Sequence, residues 1–372
     1  MTVFNDAACG ITLPRQILAR QILTHLGDSR SRRTFLDYLT WRVSGEESYL
    51  LDIYRHCMNV EDLMSKVQHS GRQHYLWGVT ATSVAHLNTL WPGCWRGVFD
   101  NDPRSWNTGG VTQIPFLPPP THPEALAELY RRGEQILVCS ASSAGAIMAQ
   151  IKSLGFAQEV AINVSELIGA QYFGLPELYH DQNELFVDAG AYDGSTTQEF
   201  FKWAGKSAAQ AWCFEADPQN CRRCAAQLAL PLSQGRVRLC NTGLWSRPGR
   251  LRLANSGLST GYLTDTAGAA AGVSAQTADA GDIEVEVATL DEMLGERRVT
   301  FIKMDIEGAE LQALQGAATL IRRNKPKLAI CVYHRPEDIL TIPAYILSLN
   351  PDYTLYLRHH TFEATETVLY AL

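Results

Sequence analysis

Residues 185–197 read Leu-Phe-Val-Asp-Ala-Gly-Ala-Tyr-Asp-Gly-Ser-Thr-Thr, which places two acids and two glycines beside four hydroxyl side chains. An apolar run ends in Asp188, passes through Gly190 and Gly194, and opens a helix-like segment at Ser195. Strand, turn and helix in this order gather backbone N–H groups and a carboxylate at the carboxyl edge of a sheet, where a ligand can be held. The glycines allow the backbone to approach that ligand closely. The spacing is Gly-Ala-Tyr-Asp-Gly rather than Gly-x-Gly-x-x-Gly, and Asp188 and Asp193 would repel a pyrophosphate. S-adenosylmethionine suits the turn better, because it offers a sulfonium, an ammonium and ribose hydroxyls.

A second apolar run, Ala-Trp-Cys-Phe-Glu at 211–215, ends in Glu215, with Asp217 and Pro218 just beyond. Glu215 stands 21 residues after Gly194, close to the separation of about 20 at which doubly wound folds place a ribose-binding acid. Asp188 and Glu215 also suit the plainer role of capping the helices after them; capping alone does not call for the glycine-rich turn as well. The expected cofactor set is Asp188, Gly190, Asp193 and Gly194 at the turn, Glu215 on the ribose, and Asn241, Thr242 and Gly243 beside the adenine. Helix N–H groups near Ser195 or Thr196 would take the methionine carboxylate.

Residues 300–316 read Thr-Phe-Ile-Lys-Met-Asp-Ile-Glu-Gly-Ala-Glu-Leu-Gln-Ala-Leu-Gln-Gly. This segment resembles the hallmark of the FkbM-type methyltransferases, an apolar strand, Lys-x-Asp-x-Glu-Gly-x-Glu, then a Leu-rich helix and Gly. The Asp188 turn and Phe-Glu-Ala-Asp-Pro at 214–218 are similar to that family's cofactor motifs, and Val-Ala-Thr-Leu-Asp at 287–291 to the segment before the hallmark. Cys-Val-Tyr-His at 331–334 and the tail at 355–370 resemble its closing strands. The resemblance covers about residues 180–372 and implies a class I methyltransferase sheet with an antiparallel last strand. It also implies an enzyme using S-adenosylmethionine, most simply for O-methylation of a small metabolite, sugar or glycan unit.

Methyl transfer from a sulfonium is an in-line displacement whose leaving group is already activated, so the protein must align the acceptor and exclude water. A hydroxyl acceptor is a weak nucleophile until its proton departs, which calls for a base. Asp305 and Glu307 follow one strand, and His334 follows the next on the same edge. His334 is the expected base because imidazole titrates near neutrality; its plainer role is a histidine bonded to its own loop. Asp305 has three open roles: orienting the hydroxyl, contacting the cofactor, or joining Glu307 on a divalent metal. Two carboxylates alone are a weak metal signal. Glu310 suits the first turn of the following helix, and His359 and His360 suit either an acceptor pocket or an exposed tail.

The expected architecture is α/β in three parts: a helical segment at 1–71, a smaller Rossmann-like domain at 72–165 and the methyltransferase domain at 166–372. Apolar residues from Ile17 to Leu26 and from Phe35 to Tyr54 recur at helical intervals, as in a cap or an oligomerisation segment joining like chains. Strands and helices alternate from His74 onward, with 115–123 as a Pro-rich loop. Only Gly78 survives of a dinucleotide fingerprint, with Asp100 placed for a ribose. That region suits either nucleotide-sugar binding or mere docking. The last domain predicts strands at 184–188, 210–215, 235–240, 299–304, 326–333, 352–358 and 365–371, the final two as an antiparallel hairpin. Residues 254–281, rich in Ala, Gly, Ser and Thr, read as a mobile insertion.

Composition narrows the function classes. The chain has 372 residues, 46% of them hydrophobic, and a net charge of −7, so no basic field calls for nucleic acid; the basic run at 30–33 suits a solvated helix face. No signal peptide and no membrane-length apolar run is visible. The nine scattered cysteines fit a reducing cytoplasm, and Cys221 and Cys224, on a predicted helix without a second pair, lack the company of a zinc site. A protein that only senses S-adenosylmethionine, without turnover, would need the same cofactor residues.

Overall fold

The computed structural model describes residues 15–57, 60–106, 113–140, 143–155, 160–164, 166, 171–205, 208–255, 261–264 and 283–372. The chain divides into two compact units, one comprising Met1–Phe35, Tyr172–Leu357 and Thr367–Leu372, the other Leu36–Gln171 and Arg358–Glu366. Neither residue 71 nor residue 165 bounds these units. The reason is long-range pairing: Leu26 bridges Leu355 in parallel, and Gly27 N–H donates to the Leu355 carbonyl at 2.9 Å. The helix Arg15–His25, with Leu18 and Ile22 buried, therefore belongs to the unit that holds the chain's last strands. Helices Ser29–Ser44, Glu47–Arg55 and Val60–His69 complete the predicted helical stretch.

The second unit contains a five-stranded parallel sheet. Its strands are β1 (His74–Trp77), β2 (Trp95–Phe99), β3 (Phe116–Leu117), β4 (Ile136–Val138) and β5 (Ala161–Asn163), in the order β3-β2-β1-β4-β5. The short β3 lies inside the Pro-rich stretch expected to be a loop. Helices Ala81–Leu90, Pro123–Arg131 and Ala144–Ser153 alternate with these strands. Its core gathers Tyr75, Trp77, Phe99, Leu126 and Ile147, with Tyr75 stacked on Phe99 at 4.6 Å between ring centroids.

The first unit is built on β6 (Leu185–Ala189), β7 (Gln210–Phe214) and β8 (Val237–Cys240). A small sheet follows, of β9 (Gly243–Leu244), β10 (Gly249–Asn255), β11 (Gly261–Thr264) and β12 (Ile283–Ala288). The chain then returns through β13 (Phe301–Met304), β14 (Lys327–Cys331), β15 (Leu355–His359) and β16 (Thr367–Ala371). Seven strands share the main sheet in the order β15-β16-β14-β13-β6-β7-β8. Five are parallel, β16 runs antiparallel to β14, and reciprocal bonds between Thr354 and Leu372 make the closing hairpin antiparallel too. All seven strands predicted for this sheet are present, with ends that differ by at most three residues.

The small sheet has no counterpart among the predicted elements. β10 pairs antiparallel with both β11 and β12, so part of the stretch at 254–281 is a hairpin rather than an irregular insertion. The remainder of that stretch lies outside the described residues. Buried Leu251, Leu253, Val285 and Val287 explain the pairing, since alternate positions along β10 and β12 are apolar.

Candidate functional site

Strand order in the seven-stranded sheet reverses between β6 and β13, which opens a crevice beyond their carboxyl ends. Five loops meet the ends of this sheet's parallel strands, and those after β6, β7, β13 and β14 carry most of the expected site residues. The turn after β6 is anchored on both sides by aromatic packing. Phe186 on β6 stacks on Phe200 of the helix Ser195–Ala204 at 4.5 Å, and Phe173 and Phe301 pack edge-on against Phe186. Such pairs contribute about 0.5–1.5 kcal/mol each beyond the area they bury.

Glycine is required at Gly190 by a protein contact. Its φ is 77°, and a Cβ there would come within 1.9 Å of the Asp305 carbonyl oxygen. The loops after β6 and β13 therefore approach each other closely. Gly194 has φ 87° and precedes the helix, where a Cβ would press on Leu228 and Cys224. Gly190 and Ala191 both donate backbone N–H to the Phe214 carbonyl at 3.0 Å, and Tyr192 N–H donates to Glu215 Oε2 at 2.8 Å. Asp193 accepts the Ser195 N–H at 3.0 Å, so it stabilises the helix start and engages one of the donors expected for the methionine carboxylate.

Asp188 is not where a ligand could touch it. The side chain is completely buried; Oδ2 accepts from the Thr197 hydroxyl at 2.7 Å, and Oδ1 lies 3.1 Å from the Lys303 ammonium. Lys303 also donates to the Ala189 and Gly190 carbonyls at 3.1 and 2.7 Å. Burial works against the ammonium, but Asp188 and then Asp305 outweigh it and hold its pKa above the usual value. Asp188 and Lys303 thus fix the turn from behind, across neighbouring strands. Lys303 was legible as a lysine in an apolar strand, a position that demands a buried acid.

Glu215 stands at the crevice with its carboxylate held by the Tyr192 and Asp217 N–H groups, the latter at 2.9 Å to Oε1. Burial raises its pKa against the pull of these bonds. Each oxygen keeps a second lone pair, which is what a ribose hydroxyl needs. Asn241 is spent on structure: its amide donates to the Glu215 and Ala216 carbonyls at 2.8 and 3.1 Å. Thr242 is half-buried between it and β9. Gly243 lies within β9, where a Cβ would meet Leu263 and Val287 at 3.0 Å. Packing within the small sheet thus favours a small residue at Gly243.

The acceptor-side residues come together as predicted, with different protonation. His334 Nδ1 lies 3.0 Å from Glu310 Oε1, and Nε2 lies 3.4 Å from Asp305 Oδ1 and 3.6 Å from Glu307 Oε2. Burial disfavours the imidazolium, but Glu310, Asp305 and Glu307 together push the His334 pKa up to about 10. An imidazole already protonated near neutrality has no lone pair for a proton, so this state of His334 is a cationic clamp and not the expected base.

Asp305 receives hydroxyl donors from Tyr172 at 2.9 Å and Tyr333 at 3.1 Å. Its pKa is lowered: burial opposes ionisation, and Lys303, His334 and Tyr172 reverse that. The two tyrosines were not legible as site residues, because each is defined only by the folded contact. Glu307 has φ 55°, and its side chain is 36% exposed, the most open of the three acids facing His334. Positive φ at Tyr192 and Glu307, one on each side of the crevice, is strain of the kind that collects at functional loops.

The remaining candidates lie elsewhere. His359 and His360 are buried in the tail hairpin, and burial lowers their pKa values to about 4 and about 3. An exposed tail is therefore excluded for them. Cys221 and Cys224 fall on the helix Pro218–Gln227, which Asp217 caps, and are free thiols. Asp291, in the segment before the hallmark, caps Thr319 and Leu320 at 3.0 and 2.8 Å. Among the described residues no helix is long and apolar enough to cross a membrane.

Residues 188–364 match the family model described as the methyltransferase FkbM domain. No curated protein matches the chain. Among solved structures, methyltransferase FkbM from Methylobacillus flagellatus KT aligns at 21% identity over 84% of this chain and 93% of that one, with a TM-score of 0.45. Aeropyrum pernix fibrillarin with natively bound S-adenosyl-L-methionine aligns at 12% identity over 56% and 74% of the two chains, with a TM-score of 0.32. A putative rRNA-methylase from Clostridium thermocellum aligns at 8% identity over 52% and 89%, with a TM-score of 0.31.

Proposed function

Through residues 188–364 this chain belongs to the FkbM methyltransferase family, and from that premise we propose that it moves the methyl group of S-adenosylmethionine to a hydroxyl of a small metabolite, sugar or glycan unit. Support comes from one arrangement above all: the Gly190–Gly194 turn and Glu215 stand at the reversal of strand order, where open α/β sheets hold ligands. Glu215 accepts the ribose hydroxyls through its remaining lone pairs. Asp193, Glu215 and Asp305 would favour binding of a cationic sulfonium at the crevice through their negative charge.

Glu307 is the base. Its carboxylate is the most open of the cluster, and it would take the proton of an acceptor hydroxyl as that oxygen receives the methyl group. The product is a neutral thioether, S-adenosylhomocysteine, beside a methyl ether. Asp305, fixed by Tyr172 and Tyr333, orients the acceptor, and His334 holds Asp305 and Glu307 in place.

Calorimetric titration with S-adenosylhomocysteine and transfer of labelled methyl to a panel of hydroxylated acceptors test this function. The expected result is micromolar binding in wild type, with Glu307→Gln retaining that affinity and losing turnover. A folded wild-type sample that binds no S-adenosylhomocysteine overturns it, and full turnover by Glu307→Gln overturns the role of the base.

A further inference from the structure

Around His334 the protein buries more acid than base. Asp305 and Glu307 follow β13, Glu310 opens the helix Glu310–Gln315, and His334 follows β14. Lys303 pairs with Asp188 and its charge also reaches Asp305, and Arg335 packs beside Gly308, while His334 lies within 3.6 Å of all three carboxylates. Even as imidazolium it brings one positive charge to the three carboxylates it touches.

Partner bookkeeping at the same place is incomplete. Glu310 is completely buried; Oε1 accepts the Ile306 N–H at 2.8 Å, while Oε2 has no hydrogen-bond partner. The His334 side chain is only 9% exposed, and neither ring nitrogen forms a directed hydrogen bond despite its near carboxylates. Buried polar atoms ordinarily find partners, and buried charges need a counter-ion. One ligand atom each from Asp305, Glu310 and His334 lies within 4.8 Å of the other two. Around one ion, bonds of about 2.0–2.2 Å place ligand atoms about 3.0–3.5 Å apart, so small side-chain rotations close the set.

We propose that Asp305, Glu310 and His334 bind one divalent transition-metal ion of the Mn²⁺ or Zn²⁺ class. Two carboxylate oxygens and an imidazole nitrogen suit such ions better than the all-oxygen preference of Ca²⁺ or Mg²⁺. On binding, the coordinating ring nitrogen gives up its proton to solvent and its lone pair to the ion. Glu307 stays outside the ligand set, available to the acceptor. The ion's binding does not depend on the methyl-transfer reading; only its effect on an acceptor hydroxyl does.

The experiment uses the full chain stripped with chelator and titrated with MnCl₂ or ZnCl₂, with MgCl₂ and CaCl₂ in parallel. The expected result is one tightly held Mn²⁺ per chain, weakened in Glu310→Gln and His334→Ala by more than the roughly 10–100-fold that outer-shell changes cost. Pulsed electron paramagnetic resonance of wild type should show one imidazole nitrogen coupled to the bound Mn²⁺, a readout that needs no variant to fold. No stoichiometric Mn²⁺ or Zn²⁺ binding, bound Mn²⁺ without nitrogen coupling, or unchanged affinity in folded forms of both variants overturns the site. S-adenosylhomocysteine titrated into the same samples separates the two ideas, since cofactor binding without metal binding removes the metal alone.

Discussion

The two large sheets share a plan and differ in what stands at its centre. In the five-stranded sheet the order reverses between β1 and β4, and in the seven-stranded sheet between β6 and β13. Both first strands end at a glycine with positive φ, Gly78 and Gly190, before a helix. Behind Gly190 lies a buried Asp188–Lys303 pair, and Glu215 stands beside it at the end of β7. Beside Gly78 the nearest contacts are Ser140 and Ile147, and Thr80 caps the helix with its hydroxyl. Topology provides a crevice in each; among the described residues, a buried ion pair lies behind the turn at Gly190 and none behind the one at Gly78. Fold therefore narrows the place for chemistry, and side chains decide whether chemistry is there.

The most severe way to break the contrast is to remove the charge behind the turn. Lys303→Met should cost about 3–5 kcal/mol in denaturant unfolding, because it leaves Asp188 buried without a cation. It should also abolish S-adenosylhomocysteine binding. Adding Asp188→Asn to that variant should recover part of the stability, as residues in one network are not additive. An unchanged unfolding midpoint in Lys303→Met would mean the pair does not hold the turn.

Exchanging the glycines tests the two turns directly. Gly190→Ala meets both a positive φ and the Asp305 carbonyl at 1.9 Å, so it should cost more than about 3 kcal/mol and remove S-adenosylhomocysteine binding. Gly78→Ala meets the Ser140 and Ile147 side chains at 2.7 and 3.0 Å, which can shift, and should cost about 1–3 kcal/mol with binding unchanged. Calorimetry on both variants reads the difference.

Histidines give the two units opposite pH responses. His359 and His360 titrate far below the usual histidine range in the fold, at about 4 and about 3. Their contribution is present above the unfolded value of about 6.5 and is lost as pH falls toward 3. His334 titrates up to about 10, so in metal-free protein its contribution is full below about 6.5 and is lost as pH rises through 10. Hydrogen exchange should show the tail segment at 358–366 opening first on acidification and the 305–310 and 334 loops first on alkalinisation. The reverse order would contradict both assignments.

Legibility in the sequence followed the range of the interactions. Apolar runs such as Leu185–Ala189 and Phe301–Met304 are local signals, and every strand of the main sheet was readable from them. The turn glycines were readable too, but their reason was not: the Asp305 carbonyl that requires Gly190 is more than a hundred residues away. Asp188 was readable as important and misplaced as a ligand, because its partner Lys303 lies on a strand far along the chain. The small sheet was missed since β10, β11 and β12 are separated by stretches with little apolar periodicity. His334 was found by position, while its charge depends on Glu310, which a sequence assigns only to a helix start.

The smallest effect is expected from Asn241→Ala. Losing the amide bonds to the Glu215 and Ala216 carbonyls should cost about 1 kcal/mol and weaken S-adenosylhomocysteine severalfold through a looser Glu215. Complete loss of binding would instead place Asn241 on the cofactor itself.

Hydrogen–deuterium exchange of the full chain with and without S-adenosylhomocysteine tests the central claim most directly, since it needs no substitution. Cofactor binding at the β6–β13 reversal predicts slowed exchange across 189–197 and 214–219, with 78–84 and the end of β2 unchanged. Slowing confined to 78–84 and the end of β2, or none anywhere at saturating ligand, would contradict it.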